Sequence, residues 1–277
     1  MLARAREIYS KQGARDALPE FEKALALFRV GGDRRHEAIT LGLIGNCYKR
    51  LADFPKALDY LERALALKRE LGDRVEEGKT LSHLGLLFWE QGAYPRAIEH
   101  FTQAITIGAS LGDRVLEASA RNNLALVYDE LGEYRRALAE YERALELYRG
   151  AQAASGSDPA LGRTIERGIS DTIGNIGGTH LLLGDYAEAL RYYQQSLAID
   201  ERLGLKPAMS QDLGNIALCY AGLGRTAEAL LSLDRALALA RAAGMKKEEA
   251  DWQKAKGSAL VRQGKYTEAL EQYRLAL

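Results

Sequence analysis

The stretch Leu131-Gly132-Glu133-Tyr134-Arg135-Arg136-Ala137-Leu138, followed by Tyr141 and then Arg143-Ala144-Leu145, decides how the 277-residue chain is read, because copies of it recur throughout. Its central small residue returns as Ala17, Ala57, Ala97, Ala137, Ala189, Ala229 and Ala269, at spacings of 40, 40, 40, 52, 40 and 40. A fixed period of roughly 20 to 50 residues marks stacked units, none of which can bury its apolar face alone. Four positions after each alanine stands a large residue: Phe21, Leu61, Phe101, Tyr141, Tyr193, Leu233 and Tyr273. Three further on the residue is small again: Ala24, Ala64, Ala104, Ala144, Ser196, Ala236 and Ala276. That i, i+4, i+7 stripe is one face of a helix, and its small–large alternation lets a second helix approach closely.

The second helix lies upstream of each alanine. Its pattern is an apolar residue, a small one and an aromatic: Ile44-Gly45 with Tyr48, Leu84-Gly85 with Phe88, Leu124-Ala125 with Tyr128, Ile216-Ala217 with Tyr220, and, more loosely, Ile176-Gly177 with His180. Between the two patterns sits Gly13, Ala52, Gly92, Gly132, Gly184, Gly224 or Gly264, where a helix must end in a left-handed residue. Each unit is therefore expected to be a helical hairpin, helix A followed by helix B.

Taken together, these residues resemble the tetratricopeptide repeat over essentially the whole chain, and recurrence in register makes the match specific. Three departures stand out. The position where the family prefers Trp holds Leu41, Leu81, Arg121, Ile173, Leu213 and Gln253; the period exceeds the usual 34; and the terminal Pro is missing. Gly32-Asp33-Arg34, Gly72-Asp73-Arg74 and Gly112-Asp113-Arg114 replace it, joining a C-cap Gly to an N-cap Asp. The longer period is similar to the extended repeats of kinesin light chains, spindle-orientation adaptors and bacterial signalling proteins. The resemblance implies an all-α fold, a right-handed superhelix of about seven hairpins forming one solenoid over 1–277. Its units fall at roughly 1–32, 33–72, 73–112, 113–150, 163–204, 205–244 and 245–277. The 52-residue spacing implies an insertion at 150–162, a loop or ragged helix extension that could serve as a hinge.

Composition narrows the function. Thirty-eight Lys and Arg balance 38 Asp and Glu, which argues against a dedicated nucleic-acid or membrane-surface binder. No apolar run approaches a membrane span, and no signal peptide is read. Cys47 and Cys219, far apart and outside any CxxC, read as reduced, buried thiols of a cytoplasmic protein. Gly78-Lys79-Thr80 resembles the end of a phosphate-binding loop, but Asp73 stands where that loop needs Gly and no strand precedes it. Gly174-Asn175-Ile176-Gly177-Gly178 falls inside a helix. His36, His83, His100 and His180 occupy different units without metal-ligand spacing. Glu76-Glu77 and Glu248-Glu249 sit at helix starts, where the helix dipole explains them, and Lys56, Arg96 and Arg136 read as a solvated face. No catalytic residue, metal site or cofactor is expected, and the chain is not expected to be an enzyme.

One constellation remains. Stacking helix A in register places Leu43, His83, Asn123, Asn175, Asn215 and Ala255 at equivalent points. Asparagine donates and accepts at once, which suits a peptide backbone. In extended-repeat relatives, asparagines here contact bound peptides, so the resemblance assigns that role to Asn123, Asn175 and Asn215, with His83 at the same register. Neighbouring groove positions are Asn46, Lys79, Trp89, Asn122, Asp171 and Gln211, with Lys49, Ser82 and Asp129 beside them. The alternative, asparagines that only hold stacking angles, stands equally open. The expected function is a non-catalytic scaffold whose concave groove takes an extended peptide or a partner helix. The competing reading is a sensor or autoinhibitory segment of a larger bacterial signalling protein, such as a protease, an ATP-driven switch or a transcription regulator. The partner expected is a protein or peptide, not nucleic acid or membrane. Unclosed terminal units add end-to-end self-association, or docking on a catalytic domain of the same polypeptide, as expectations.

Overall fold

The computed structural model describes every residue except Ser155 and Ser157. Among the described residues there are fourteen helices and no strand, paired as hairpins of helix A and helix B. They fall into two compact units, Met1–Val127 and Tyr128–Leu277. The first holds α1 (Leu2–Gln12), α2 (Ala14–Val30), α3 (Arg34–Arg50), α4 (Phe54–Glu70), α5 (Arg74–Glu90), α6 (Tyr94–Leu111) and most of α7 (Arg114–Glu130). The second holds α8 (Tyr134–Ala154), α9 (Pro159–Leu182), α10 (Tyr186–Leu203), α11 (Lys206–Gly222), α12 (Thr226–Ala242), α13 (Lys246–Arg262) and α14 (Tyr266–Leu275).

The alternating stripe builds the hairpins. Ala17, Ala57, Ala97, Ala137, Ala189, Ala229 and Ala269 are all buried, and in hairpins whose helix A carries Gly45, Gly85, Gly177 or Gly257 the large residue four positions on packs against that glycine. A Cβ at Gly45 would sit 2.7 Å from Leu61, one at Gly85 2.6 Å from Phe101 and one at Gly257 2.8 Å from Tyr273. The turn residues adopt positive φ as the sequence requires, and Ala52, at φ 59°, is the one non-glycine among them. Asp33, Asp73 and Asp113 cap the next helix, accepting from His36 N at 3.1 Å, Glu76 N at 3.2 Å and Leu116 N at 3.0 Å. Asp113→Ala is expected to cost about 1 kcal/mol in urea unfolding, and an unchanged midpoint would show the cap to be dispensable.

Ser155 and Ser157, inside the expected insertion, lie outside the described residues. Around them the added sequence goes largely into helix: α8 runs 21 residues and α9 runs 24, against 17 for most others. Asp158 caps α9 by accepting from Ala160 N and Leu161 N at 2.9 and 3.1 Å.

The joints between hairpins hold charges that periodicity does not show. An arginine twelve residues after the stripe alanine meets a glutamate at the start of the next helix A: Arg29 with Glu37 at 2.8 Å, Arg69 with Glu77 at 2.9 Å, and Arg241 with Glu249 at 2.8 Å. The dipole reading of Glu77 is therefore corrected. Glu77 is only 4% exposed and also takes Arg74 at 2.6 Å, so ion pairing across the joint defines it. Glu76 likewise pairs with Lys68 and Lys79.

Candidate functional site

Successive A helices touch within each unit, α3 with α5 in the first and α9 with α11 and α11 with α13 in the second. Each unit therefore presents a face of adjoining A helices. On the first unit, Asn46 of α3 and His83 of α5 are half-buried, with Asn46 Nδ2 3.3 Å from His83 Nδ1. Burial, followed by the Lys68 and Lys49 ammonium groups, pushes His83 down to about 4. His83 is thus neutral near pH 7, and its tautomer sets which partner donates in the contact with Asn46. Asn46 Oδ1 and Ser82 Oγ are buried without a hydrogen-bond partner.

Around them, Lys49 reaches Glu90 at 2.6 Å and Lys79, exposed, reaches Glu76 at 2.8 Å. Lys68 of α4, only 5% exposed, donates to Thr80 Oγ1 at 2.7 Å. Trp89 is half-buried near the end of α5, and Asn122 and Asn123 are half-buried on α7.

On the second unit, Asn175 of α9 and Asn215 of α11 are both half-buried, with Asp171 and Gln211 exposed beside them. Asp171 lies 3.9 Å from Arg167. The Asn175 carbonyl accepts from Thr179 Oγ1 at 3.2 Å. Among the described residues, the Asn123 and Asn215 side chains make no hydrogen bond to the protein. Asp129 differs in being committed to packing, since Tyr141 OH and Thr179 Oγ1 both donate to it at 2.9 Å.

Behind this second face lies a group that spacing did not single out. Ser170 donates to Asp200 Oδ1 at 2.7 Å and meets Ser196 Oγ at 3.1 Å. Asp212 of α11 is 6% exposed, and its Oδ2 is buried with no partner. Burial, with the Asp200 and Asp171 charges adding to it, pushes Asp212 up to about 7 even though Ser196 bonds its charged form. The available signal was register: Asp212 stands where other A helices carry Thr40, Thr80 and Thr172. Lys68 and Asp200 occupy equivalent places on helix B, so one joint position is basic in the first unit and acidic in the second.

A sequence profile described as the tetratricopeptide repeat matches residues 2–70, 72–150 and 168–242, and a second profile of the same description matches 215–277. The chain belongs to the tetratricopeptide repeat family. No curated protein matches it in sequence. Among solved structures, this tetratricopeptide repeat chain is similar to BtubC (BKLC) from P. vanneervenii. There the identity is 22%, the TM-score 0.68, and the coverage 84% of this chain and 93% of that one. Aspartyl phosphate phosphatase F from Bacillus subtilis is 15% identical, with TM-score 0.74 and coverage of 99% and 67%. The apo quorum sensor NprR from B. thuringiensis is 17% identical, with TM-score 0.61 and coverage of 99% and 85%.

At these identities the likeness establishes the fold. The tetratricopeptide repeat is generally a scaffold for protein interaction, although one of these relatives is named a phosphatase. Among the described residues no group of three or more His, Cys, Asp or Glu is placed to hold a metal, and no helix is long and apolar enough to cross a membrane.

Proposed function

We propose that the chain is a non-catalytic interaction scaffold, cytoplasmic, whose helix-A faces take an extended peptide or a partner helix through Asn123, Asn175 and Asn215. His83, Asn46, Lys79, Trp89, Asn122, Asp171 and Gln211 contribute around them. One observation carries this reading: asparagines recur at a single half-buried register, and the Asn123 and Asn215 amides are unspent on the protein's own hydrogen bonds. Neither amide is among the buried polar atoms without a partner, so both stay open to water, and a peptide N–H and C=O can take that water's place at each.

The test is capture of partners from a lysate by wild type and by Asn175→Ala/Asn215→Ala, then titration of the segment identified. Affinity is expected to fall at least about tenfold, or about 1.4 kcal/mol, with helicity unchanged. Equal affinity in both proteins would move the site elsewhere.

A second reading, a sensory segment serving a larger protein, is supported by the likeness to NprR, which is described as a quorum sensor. Reading the gene on both sides of this segment separates the two, because an adjoining catalytic or DNA-binding domain favours the sensor.

A further inference from the structure

In the second unit a cavity of about 350 Å³ opens where α8, α9 and α10 meet, on the helix-B side and away from the asparagine register. It is lined by Ile169, Ile173, Ala198 and Ile199 together with Arg149, Arg202 and Glu166. The volume lies at the small end of the range of about 300–1,000 Å³ typical of small-molecule sites. Arg202 is already paired, to Glu166 at 3.1 Å. Arg149 makes no ion pair or hydrogen bond among the described residues.

The repeat register explains why Arg149 is left over. It lies twelve residues after Ala137, the position of Arg29, Arg69 and Arg241, each of which meets a glutamate eight residues before Gly45, Gly85 or Gly257 of the next helix A. Counted back the same way from Ile176-Gly177, the glutamate position is held by Ile169. The joint interrupted by the insertion thus keeps the arginine, loses its carboxylate and puts apolar surface in its place.

We propose that this cavity binds a small amphipathic carboxylate. The ligand's carboxylate takes the place at Arg149 that Glu37, Glu77 and Glu249 take at three other joints, and its hydrocarbon body lies against Ala198 and Ile199. A guanidinium matches a carboxylate in charge and fork geometry, and the exposed Ala198 and half-buried Ile199 supply the apolar surface that leaves water, Ile169 and Ile173 being buried already.

Octanoate is the probe, with octanamide as its uncharged counterpart, each followed by calorimetric titration of the whole chain. Wild type is expected to bind one octanoate saturably and to hold octanamide at least about tenfold more weakly. Arg149→Gln, an exposed change that spares the fold, is expected to lose a similar factor for octanoate alone. Ile169→Glu places a carboxylate beside Arg149 at this buried position and is expected to abolish octanoate binding. Asn175→Ala/Asn215→Ala is expected to leave octanoate binding intact, which separates this site from the helix-A reading. No saturation below about 10 mM, or equal binding of acid and amide by wild type and Arg149→Gln, would overturn the proposal.

Discussion

Replacing Asp212 by asparagine is expected to make the second unit more stable at pH 8 and to remove most of its loss of stability between pH 4 and pH 7. Asp212 is buried, its Oδ2 has no partner, and its neighbours in charge are two further carboxylates, Asp200 on α10 and Asp171 on α9. The nearest cation in the group, Arg167, lies beside Asp171 rather than Asp212. The folded chain therefore holds the proton more tightly than the unfolded chain does, with the Asp212 carboxyl raised from 3.8 to about 7. A group raised in this way contributes fully below its unfolded value and loses that contribution as pH climbs through the folded one.

A shift of that size corresponds to about 4 kcal/mol as an upper bound, and the buried Asp200, also raised, acts in the same direction. Urea unfolding at pH 4, 5.5, 7 and 8 measures it. Parallel profiles for wild type and Asp212→Asn would show that the carboxylate is not isolated. Threonine, native at this register in other hairpins, serves as a second variant.

Gly85→Ala is expected to be among the most damaging single-atom additions to the first unit. The new Cβ would lie 2.6 Å from the Phe101 ring, which is fully buried and cannot swing away. Overpacking of this kind costs about 1–3 kcal/mol. Phe101→Leu in the same chain should recover part of the loss, because the smaller side chain clears the notch. Gly108→Ala offers a contrast: its Cβ would meet the backbone N of Glu117 at 2.7 Å, so no side-chain substitution can rescue it and α6 must move from α7. Thermal unfolding of the single and double variants decides the matter. Additive losses for Gly85→Ala and Phe101→Leu would show that the notch and the ring do not determine each other.

The hairpins were legible because their causes are local and repeated: a stripe of small and large residues, a left-handed turn and an aspartate cap each leave a mark at fixed spacing. What escaped the sequence depends on pairing between elements. Lys56, Arg96 and Arg136, read as a solvated face, lie over the rings of Tyr48, Phe88 and Tyr128 at 5.0, 3.8 and 4.1 Å. Each covers the aromatic residue of its hairpin and keeps its charge in water. The joint pairs of Arg69 with Glu77 and Arg241 with Glu249 were hidden for the same reason, since each member is unremarkable until two helices are laid side by side. The asparagine register was legible as a position but not as an interaction, and only the structure shows that its member His83 is engaged with the neighbouring Asn46 while Asn215 makes no side-chain hydrogen bond among the described residues. Asp212 could have been found by asking which hairpin puts a charge at the register that elsewhere holds Thr40, Thr80, Ala120, Thr172 and Trp252. Periodicity alone does not pose that question, because it scores what recurs.

The two cysteines have a use that follows from where they sit. Cys47 is wholly buried in the first unit and Cys219 in the second, and burial holds both thiols up to about 11. Neither sulfur can meet a bulky alkylating reagent until its own helices separate, and then only as an ordinary thiol. The chain thus carries one chemical clock in each unit. The rate at which each thiol is labelled under native conditions times the opening of that unit, with no reporter group introduced.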